Sequence, residues 1–167
     1  AMPELIEAAV RRLNDCAFEV LDFNLGCPVP KVTRRGAGVA LAHELAAAAG
    51  CLEILVRHSR FPVTAKTRVL DPEDPAPTVR LARALEAAGA QALTLHGRTW
   101  RQIYSGPVHV RVVQAVRESV RIPVIANGGV FDAAGATALR AATGCSRLMI
   151  ARGAIGNPWV FGEAAAG

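Results

Sequence analysis

Short apolar runs alternate with longer amphipathic segments along the whole chain. The amphipathic segments repeat apolar residues at three- and four-residue spacing, which predicts helices over residues 3–15, 38–58, 77–88, 108–119, 132–142 and 157–165. The apolar runs between them resemble strands that are buried on both faces of a parallel sheet. These runs are Phe18–Asn24, Pro62–Thr67, Ala92–His96, Pro123–Ala126 and Arg147–Ala151. The alternation predicts an α/β fold with right-handed crossovers.

Residues capable of chemistry recur where the predicted strands end. They are Asn24 with Cys27, then Lys66, His96, Asn127 and Arg152. In a barrel the carboxyl ends of all strands open on one mouth, whereas a doubly wound sheet binds its ligand at a single switch point. The spacing therefore predicts a partial TIM (β/α)8 barrel of about five parallel strands with intervening helices, its N-terminal strands missing. Residues 1–167 are expected to form a single, incomplete domain.

Composition narrows the classes of partner and compartment. The formal net charge of +5 and the pI near 9.6 are compatible with a polyanionic partner, although most arginines fall on predicted solvent-facing helix surfaces. A basic cluster of Lys31, Arg34 and Arg35 is more suggestive because it lies in a loop close to Cys27. The four cysteines lack the spacing of a zinc site or a disulfide framework, so we predict free thiols. The absence of a secretory or membrane-spanning pattern predicts a cytoplasmic protein.

Cys27 is predicted to stand at the rim of the barrel. Gly26 permits a tight turn at the end of the first strand, and Pro28 stops further pairing. An ordinary thiol is mostly protonated at neutral pH and can donate a proton, while a neighbouring cation would instead favour a nucleophilic thiolate. Both roles remain open from the residues alone.

Two glycine-containing loops suggest a phosphate site. Asn127, Gly128 and Gly129 follow one strand, and Arg152 with Gly153 follows the next. Bare backbone amides near a helix start bind phosphate, and barrels commonly place such a site after their last two strands. Lys66 and His96 end buried strands, where a charged group needs a partner, so we expect them to face the same ligand.

Taken together, the motifs resemble the tRNA-dihydrouridine synthases. The resemblance is carried by DFNLGCPVPKV, GAGVAL, VTAKTR, TLHGRTWRQIYSG, IPVIANGGV and MIARGAIGNPWVF, in order from near residue 3 to near residue 163. It implies reduction of uridine to 5,6-dihydrouridine in tRNA, with hydride from reduced FMN to C6 of uracil and a proton from Cys27 to C5. It also implies NADPH as the reductant, by analogy, since no dinucleotide fingerprint is present.

The same resemblance implies roles for the remaining site residues. Substrate binding would fall to Asn24, Arg98, Lys31, Arg34 and Arg35, with Arg101 and Tyr104 as further tRNA contacts. Flavin binding would fall to Lys66, His96, Asn127, Gly128, Gly129, Ala151, Arg152 and Gly153. The chain departs from the family pattern at Ala151, where Gly is usual, and at Ser146 and Arg147, which replace a commoner Asp-Gly pair.

Five strands leave two unpaired edges, so we expect the isolated chain to bind FMN weakly or not at all and to self-associate. No metal and no protein partner is implied. Two other functions fit the same residues. One is an FMN barrel reductase of a free pyrimidine, similar to dihydroorotate dehydrogenase, and the other is a non-catalytic RNA-binding remnant.

Overall fold

The computed structural model describes residues 3–166, which form a five-stranded sheet and eight α-helices. The strands are β1 Leu21–Leu25, β2 Val63–Arg68, β3 Leu93–His96, β4 Val124–Asn127 and β5 Arg147–Met149. The helices are α1 Pro3–Leu13, α2 Pro30–Thr33, α3 Val39–Ala42, α4 Leu45–His58, α5 Ala76–Ala87, α6 Val110–Ser119, α7 Ala133–Thr143 and α8 Val160–Ala166. A 3₁₀ turn at Arg152–Ala154 follows β5.

The sheet confirms the predicted α/β architecture. All four strand pairs are parallel, and the order β1-β2-β3-β4-β5 follows the chain. Successive long helices, α4 to α8, pack against one another, and α1 packs on α4. An unreversed strand order with a ring of sequential helices is the arrangement of a barrel sector. The described part of the chain is therefore a partial (β/α)8 barrel.

Several predicted boundaries were wrong. The helix expected over residues 38–58 is two helices, because Glu44 leaves helical geometry with φ −103° and ψ 76°. The strand expected to end at Thr67 continues through Arg68, whose side chain is buried. The last strand stops at Met149, and the backbone at Ala151 (φ −119°, ψ −82°) turns into the 3₁₀ segment. The first strand begins at Leu21, three residues later than expected.

The two faces of the sheet differ in composition. Alternate residues of a strand point to opposite faces, and one face is buried and apolar under the helices. Its members include Val63, Ala65, Leu93, Leu95, Val124 and Ala126. The other face is largely polar and lies in two rows set by the strand register. The lower row, nearer the amino ends of the strands, consists of Asn24, Lys66, Thr94, Ile125 and Arg147. The upper row, at the carboxyl ends of the strands, consists of Arg68, His96, Asn127 and Met149.

The helix that follows β4 has capping groups at both ends. Asp132 accepts a hydrogen bond from the Gly135 amide at 2.7 Å, which satisfies one of the free N–H groups of the first turn of α7. Gly144 ends the helix in the left-handed conformation with φ 69°. These caps fix α7 directly behind the loop of Gly128 and Gly129. None of the helices within residues 3–166 is long and apolar enough to cross a bilayer.

Candidate functional site

A cavity of about 180 Å³ opens at the carboxyl ends of β2 to β5. It brings together all eight residues that the sequence assigned to the cofactor, from Lys66 to Gly153, and five others. The others are Arg68, Tyr104, Val130, Phe131 and Met149. Sequence reasoning missed Arg68 as a site residue, although its spacing of two from Lys66 on one strand places both side chains on the same face. No signal in the sequence pointed to Phe131.

The Cys27 turn is fixed from both sides but does not line this cavity. The Asn24 side-chain oxygen accepts hydrogen bonds from the Gly26 amide at 3.0 Å and from the Cys27 amide at 3.2 Å. The Val39 amide donates to the Cys27 carbonyl at 3.0 Å. Gly38 has φ 60°, and a Cβ built there would lie 2.5 Å from the Cys27 carbonyl oxygen. The structure thus gives Asn24 a turn-forming role and leaves its side-chain NH2 free for a ligand.

Arg68 links the Cys27 turn to the cavity. Its Nε donates to the Gly26 carbonyl at 2.9 Å, and its Nη1 donates to the carbonyls of Thr99 at 3.2 Å and Ile103 at 2.9 Å. Burial lowers the pKa of Arg68, whereas Tyr104 and Cys27 act in the opposite direction through their charges. The hydrogen bond to Gly26 therefore connects the residue before Cys27 to a guanidinium that itself lines the cavity. One side chain therefore joins three loops around the opening.

The loop after β3 is held by Arg68 and Gln102. Gln102 accepts a hydrogen bond from the Thr99 amide at 2.8 Å and lies 2.9 Å from the His109 Nε2. Ile103 adopts φ 54°, a conformation unusual for a β-branched residue, and its carbonyl is bound by Arg68. The loop places Tyr104 at the mouth of the cavity.

Arg98 carries a buried hydrogen-bond donor without a partner. The residue is 8% exposed, and its Nε donates to the Gly106 carbonyl at 2.8 Å. Its Nη1 is buried and has no acceptor among residues 3–166. A different atom, its Nη2, lies 3.9 Å from the position where a Cβ of Gly129 would stand. An unsatisfied buried guanidinium N–H costs free energy, but Arg98 itself does not line the cavity.

The cavity is strongly electropositive. Burial lowers the pKa of His96 from 6.5 to about 3, with further lowering by the charges of Arg68, Lys66, Arg98 and Arg152. His96 is therefore neutral at physiological pH and can offer one ring nitrogen as donor and the other as acceptor.

Lys66 responds to the same surroundings. Burial lowers its pKa, the charge of Arg68 lowers it further, and Asp22 partly offsets both. Among the residues the structure describes, no Asp or Glu lines the cavity. A negatively charged ligand would supply the missing countercharge.

The two glycine loops fit closely around the cavity floor. Gly128 has φ 121°, and a Cβ there would lie 2.9 Å from the His96 ring. A Cβ on Gly153 would overlap the Val130 carbonyl oxygen and lie 2.9 Å from the Cα of Phe131. The Asn127 side chain donates to the Met149 carbonyl at 2.8 Å, which ties β4 to β5 and leaves its oxygen available. The loops are thus locked together with their backbone exposed to a ligand.

The basic cluster lies apart from this cavity. Lys31 is on α2, and Arg34 and Arg35 follow it in a turn; all three side chains are exposed. Arg101 is also exposed and stacks on Trp100 at 5.3 Å. None of these residues lines the cavity. They are exposed cations outside the cavity and do not contribute to a small-ligand site inside it.

The four cysteines are free thiols, as predicted. Cys16 is exposed, Cys27 is half-buried, and Cys51 and Cys145 are buried. Burial raises the pKa of both Cys51 and Cys145. Cys27 is therefore the thiol that combines partial exposure with proximity to the cavity.

Comparison with solved structures supports the barrel architecture. A putative dihydrodipicolinate synthase family protein from Coccidioides immitis superposes with a TM-score of 0.70 at 14% identity, covering 98% of this chain and 50% of the other. The dihydrodipicolinate synthase of Agrobacterium tumefaciens gives a TM-score of 0.64 at 18% identity, covering 89% of this chain and 48% of the other. At these identities the likeness concerns the fold alone.

Comparison with other sequences gives the family. A tRNA-dihydrouridine synthase B from Pseudomonas aeruginosa is 37% identical over 161 residues, which cover 96% of this chain and 48% of the relative. A probable tRNA-dihydrouridine synthase from Mycobacterium leprae is 40% identical over 150 residues, which cover 87% of this chain and 39% of the relative. The chain thus spans about half the length of the curated relatives it matches. Residues 1–166 match the family described as dihydrouridine synthase (Dus), and the chain belongs to that family.

Proposed function

We propose that this chain forms the flavin- and uracil-facing part of an enzyme that reduces uridine to 5,6-dihydrouridine in tRNA. The proposal rests on the cavity beside the Cys27 turn. Cationic side chains at the ends of the strands and two loops containing glycine line this cavity. Residues 1–167 would act as one incomplete barrel domain. The family is flavin-dependent in general, and we propose FMN as the flavin and NADPH as the reductant. Action on tRNA would place the protein in the cytoplasm.

The described residues fit a flavin phosphate. Gly128 and Gly129 line the cavity with partly exposed backbone, and the buried Gly153 and the exposed Arg152 line it beside them. Ala151 also lines the cavity, so its methyl group does not remove it from the binding surface. The phosphate would therefore be held by backbone amides and the Arg152 guanidinium.

The ring end of the flavin would lie on the polar sheet face. Lys66 projects from the lower row and neutral His96 from the upper row, so both reach a planar group that crosses β2 and β3. The charge of Lys66 would stabilise negative charge on the reduced ring, and His96 would hydrogen-bond without adding a further cation. When bound, reduced FMN supplies the hydride that reaches C6 of uracil.

Cys27 would complete the reduction. Its S–H bond would break as a C–H bond forms at C5 of uracil. The charge of Arg68, which binds the Gly26 carbonyl, would favour the resulting thiolate until water returns the proton. The free NH2 group of Asn24 would hold a uracil carbonyl, because its oxygen is already bound to the turn. The fixed backbone of the turn keeps the thiol at one position.

Binding of tRNA would use the basic residues around the opening. Extraction of a base from a folded tRNA costs a few kcal/mol, which contacts to phosphates offset. Lys31, Arg34 and Arg35 supply exposed cations on the Cys27 side. Arg98 does not line the cavity, and its Nε donates to the Gly106 carbonyl, so it would support the loop after β3 on the substrate side.

The test is a comparison of two cysteine variants. Unmodified tRNA is incubated with the full chain, FMN and NADPH, and dihydrouridine is measured by nucleoside mass spectrometry. Cys27→Ala should reduce the rate by about 10²- to 10⁴-fold, the usual effect of losing a general acid. Cys16→Ala, which removes an exposed thiol outside the cavity, should leave the rate unchanged.

Two results would contradict the proposal. Equal rates for Cys27→Ala and the unmodified protein would make Cys27 structural. Formation of dihydrouracil from free uracil, with no dihydrouridine in tRNA, would assign the site to a small pyrimidine.

A further inference from the structure

The guanidinium of Arg152 is flanked by two aromatic rings from different loops. Its Cζ lies 4.6 Å from the centroid of Tyr104 and 5.5 Å from that of Phe131. The Arg152 Nη2 also donates to the Tyr104 carbonyl at 3.4 Å.

This arrangement limits what Arg152 can bind. A guanidinium attracts aromatic rings over its faces and hydrogen-bond acceptors at its N–H edges. Because two rings of the protein already lie within cation–π distance of this guanidinium, its N–H groups are its remaining means of binding a ligand. An acceptor with several oxygens, such as a phosphate monoester, fits that approach, whereas a stacked ring does not.

Phe131 is the partner whose position is fixed by the phosphate loops. The backbone of Val130 and Phe131 contacts Gly153 so closely that a Cβ on Gly153 could not be accommodated. The backbone of Phe131 is thus packed against Gly153, the residue that follows Arg152 in the chain. Its ring is 51% exposed, so packing in the core does not explain a large apolar side chain at this position.

We propose that Phe131 is a positioning residue that orders the Arg152 guanidinium for the terminal phosphate of the flavin. The proposal rests on the proposed flavin function. It assigns to the aromatic pair a selectivity for a phosphorylated flavin over the same flavin without its phosphate. Tyr104 supplies the second contact and links Arg152 to the loop after β3.

The test uses NMR titration of the full ¹⁵N-labelled chain with FMN and with riboflavin, following the amide signals of Gly129 and Gly153. Phe131→Ala should weaken FMN binding by about 2- to 10-fold, the effect of losing one partly exposed cation–π contact. Riboflavin binding should not change. Phe131→Tyr, which keeps the ring, should bind FMN as the unmodified chain does.

Two controls separate positioning from general damage. Phe161→Ala removes a ring of similar exposure, 53%, on α8 and outside the cavity, and should leave both affinities unchanged. In an Arg152→Ala background, adding Phe131→Ala should produce no further loss of FMN affinity, because the group it orders is already gone.

The outcomes separate the positioning role of Phe131 from the proposed flavin function on which it rests. The positioning role is overturned, and the flavin function stands, if the unmodified chain binds FMN but Phe131→Ala weakens FMN and riboflavin binding equally. The same holds if Phe131→Ala causes its full loss of FMN affinity in the Arg152→Ala background. If the unmodified chain binds neither flavin, both proposals fail.

Discussion

His96 should make the fold sensitive to mild acid. The ring is 6% exposed, and burial with the surrounding cations lowers its pKa from 6.5 to about 3. A basic group with a lowered pKa is neutral in the folded state but takes up a proton in the unfolded state as the pH falls below 6.5. The contribution to stability is therefore complete above pH 6.5 and is lost progressively as the pH falls toward 3.

The magnitude follows from the two pKa values. At pH 5 the unfolded histidine is almost fully protonated and the folded one is not, which corresponds to a loss of about 2 kcal/mol. Solvent at the open side of the cavity screens part of the effect, so we expect a loss of about 1 to 2 kcal/mol.

Urea unfolding at pH 7 and pH 5 measures this loss. His96→Gln removes the titrating group and should lose correspondingly less stability between the two pH values than the unmodified chain. His43→Gln, at an exposed position outside the cavity, should retain the unmodified pH dependence. The reasoning is refuted if His96→Gln and the unmodified chain lose equal stability over this interval.

Two further substitutions test how the loops are joined. Gly153→Ala forces the loops after β4 and β5 apart, so the free energy of unfolding in urea should fall by about 1 to 3 kcal/mol. Gly162→Ala is the control, because this position on α8 has open space around it and the substitution should not lower the free energy of unfolding. Arg68→Lys keeps the charge but loses the planar set of donors to Gly26, Thr99 and Ile103, so unfolding should become easier by about 1 to 3 kcal/mol; an unchanged urea midpoint would show that these bonds contribute nothing.

The sequence predicted the fold class and the strand ends where the signal was local. His96 and Asn127 end their strands as expected or within one residue, because a polar residue after a buried apolar run is a strong marker. The break at Glu44 was missed because no Gly or Pro marks it. Its cause is tertiary, since α3 and α4 bury different residues against the sheet.

The composition of the cavity was predictable only in part. Residues at strand ends could be assigned from the parallel topology. Arg68 was overlooked because the strand was ended one residue too early, at Thr67. Phe131 and Met149 enter the cavity through loop geometry and strand register, and neither follows from residue type. Asn24 and Asn127 carry backbone contacts that the sequence does not disclose.

The contact between Gly38 and Cys27 has a mechanical consequence. Gly38 precedes α3, and the Val39 amide at the start of that helix donates to the Cys27 carbonyl at 3.0 Å. Because α3 also packs on α4, a substitution in α4 that shifts α3 would reach the backbone of Cys27 without passing through the sheet. Such a variant should lose the proposed activity before it loses thermal stability.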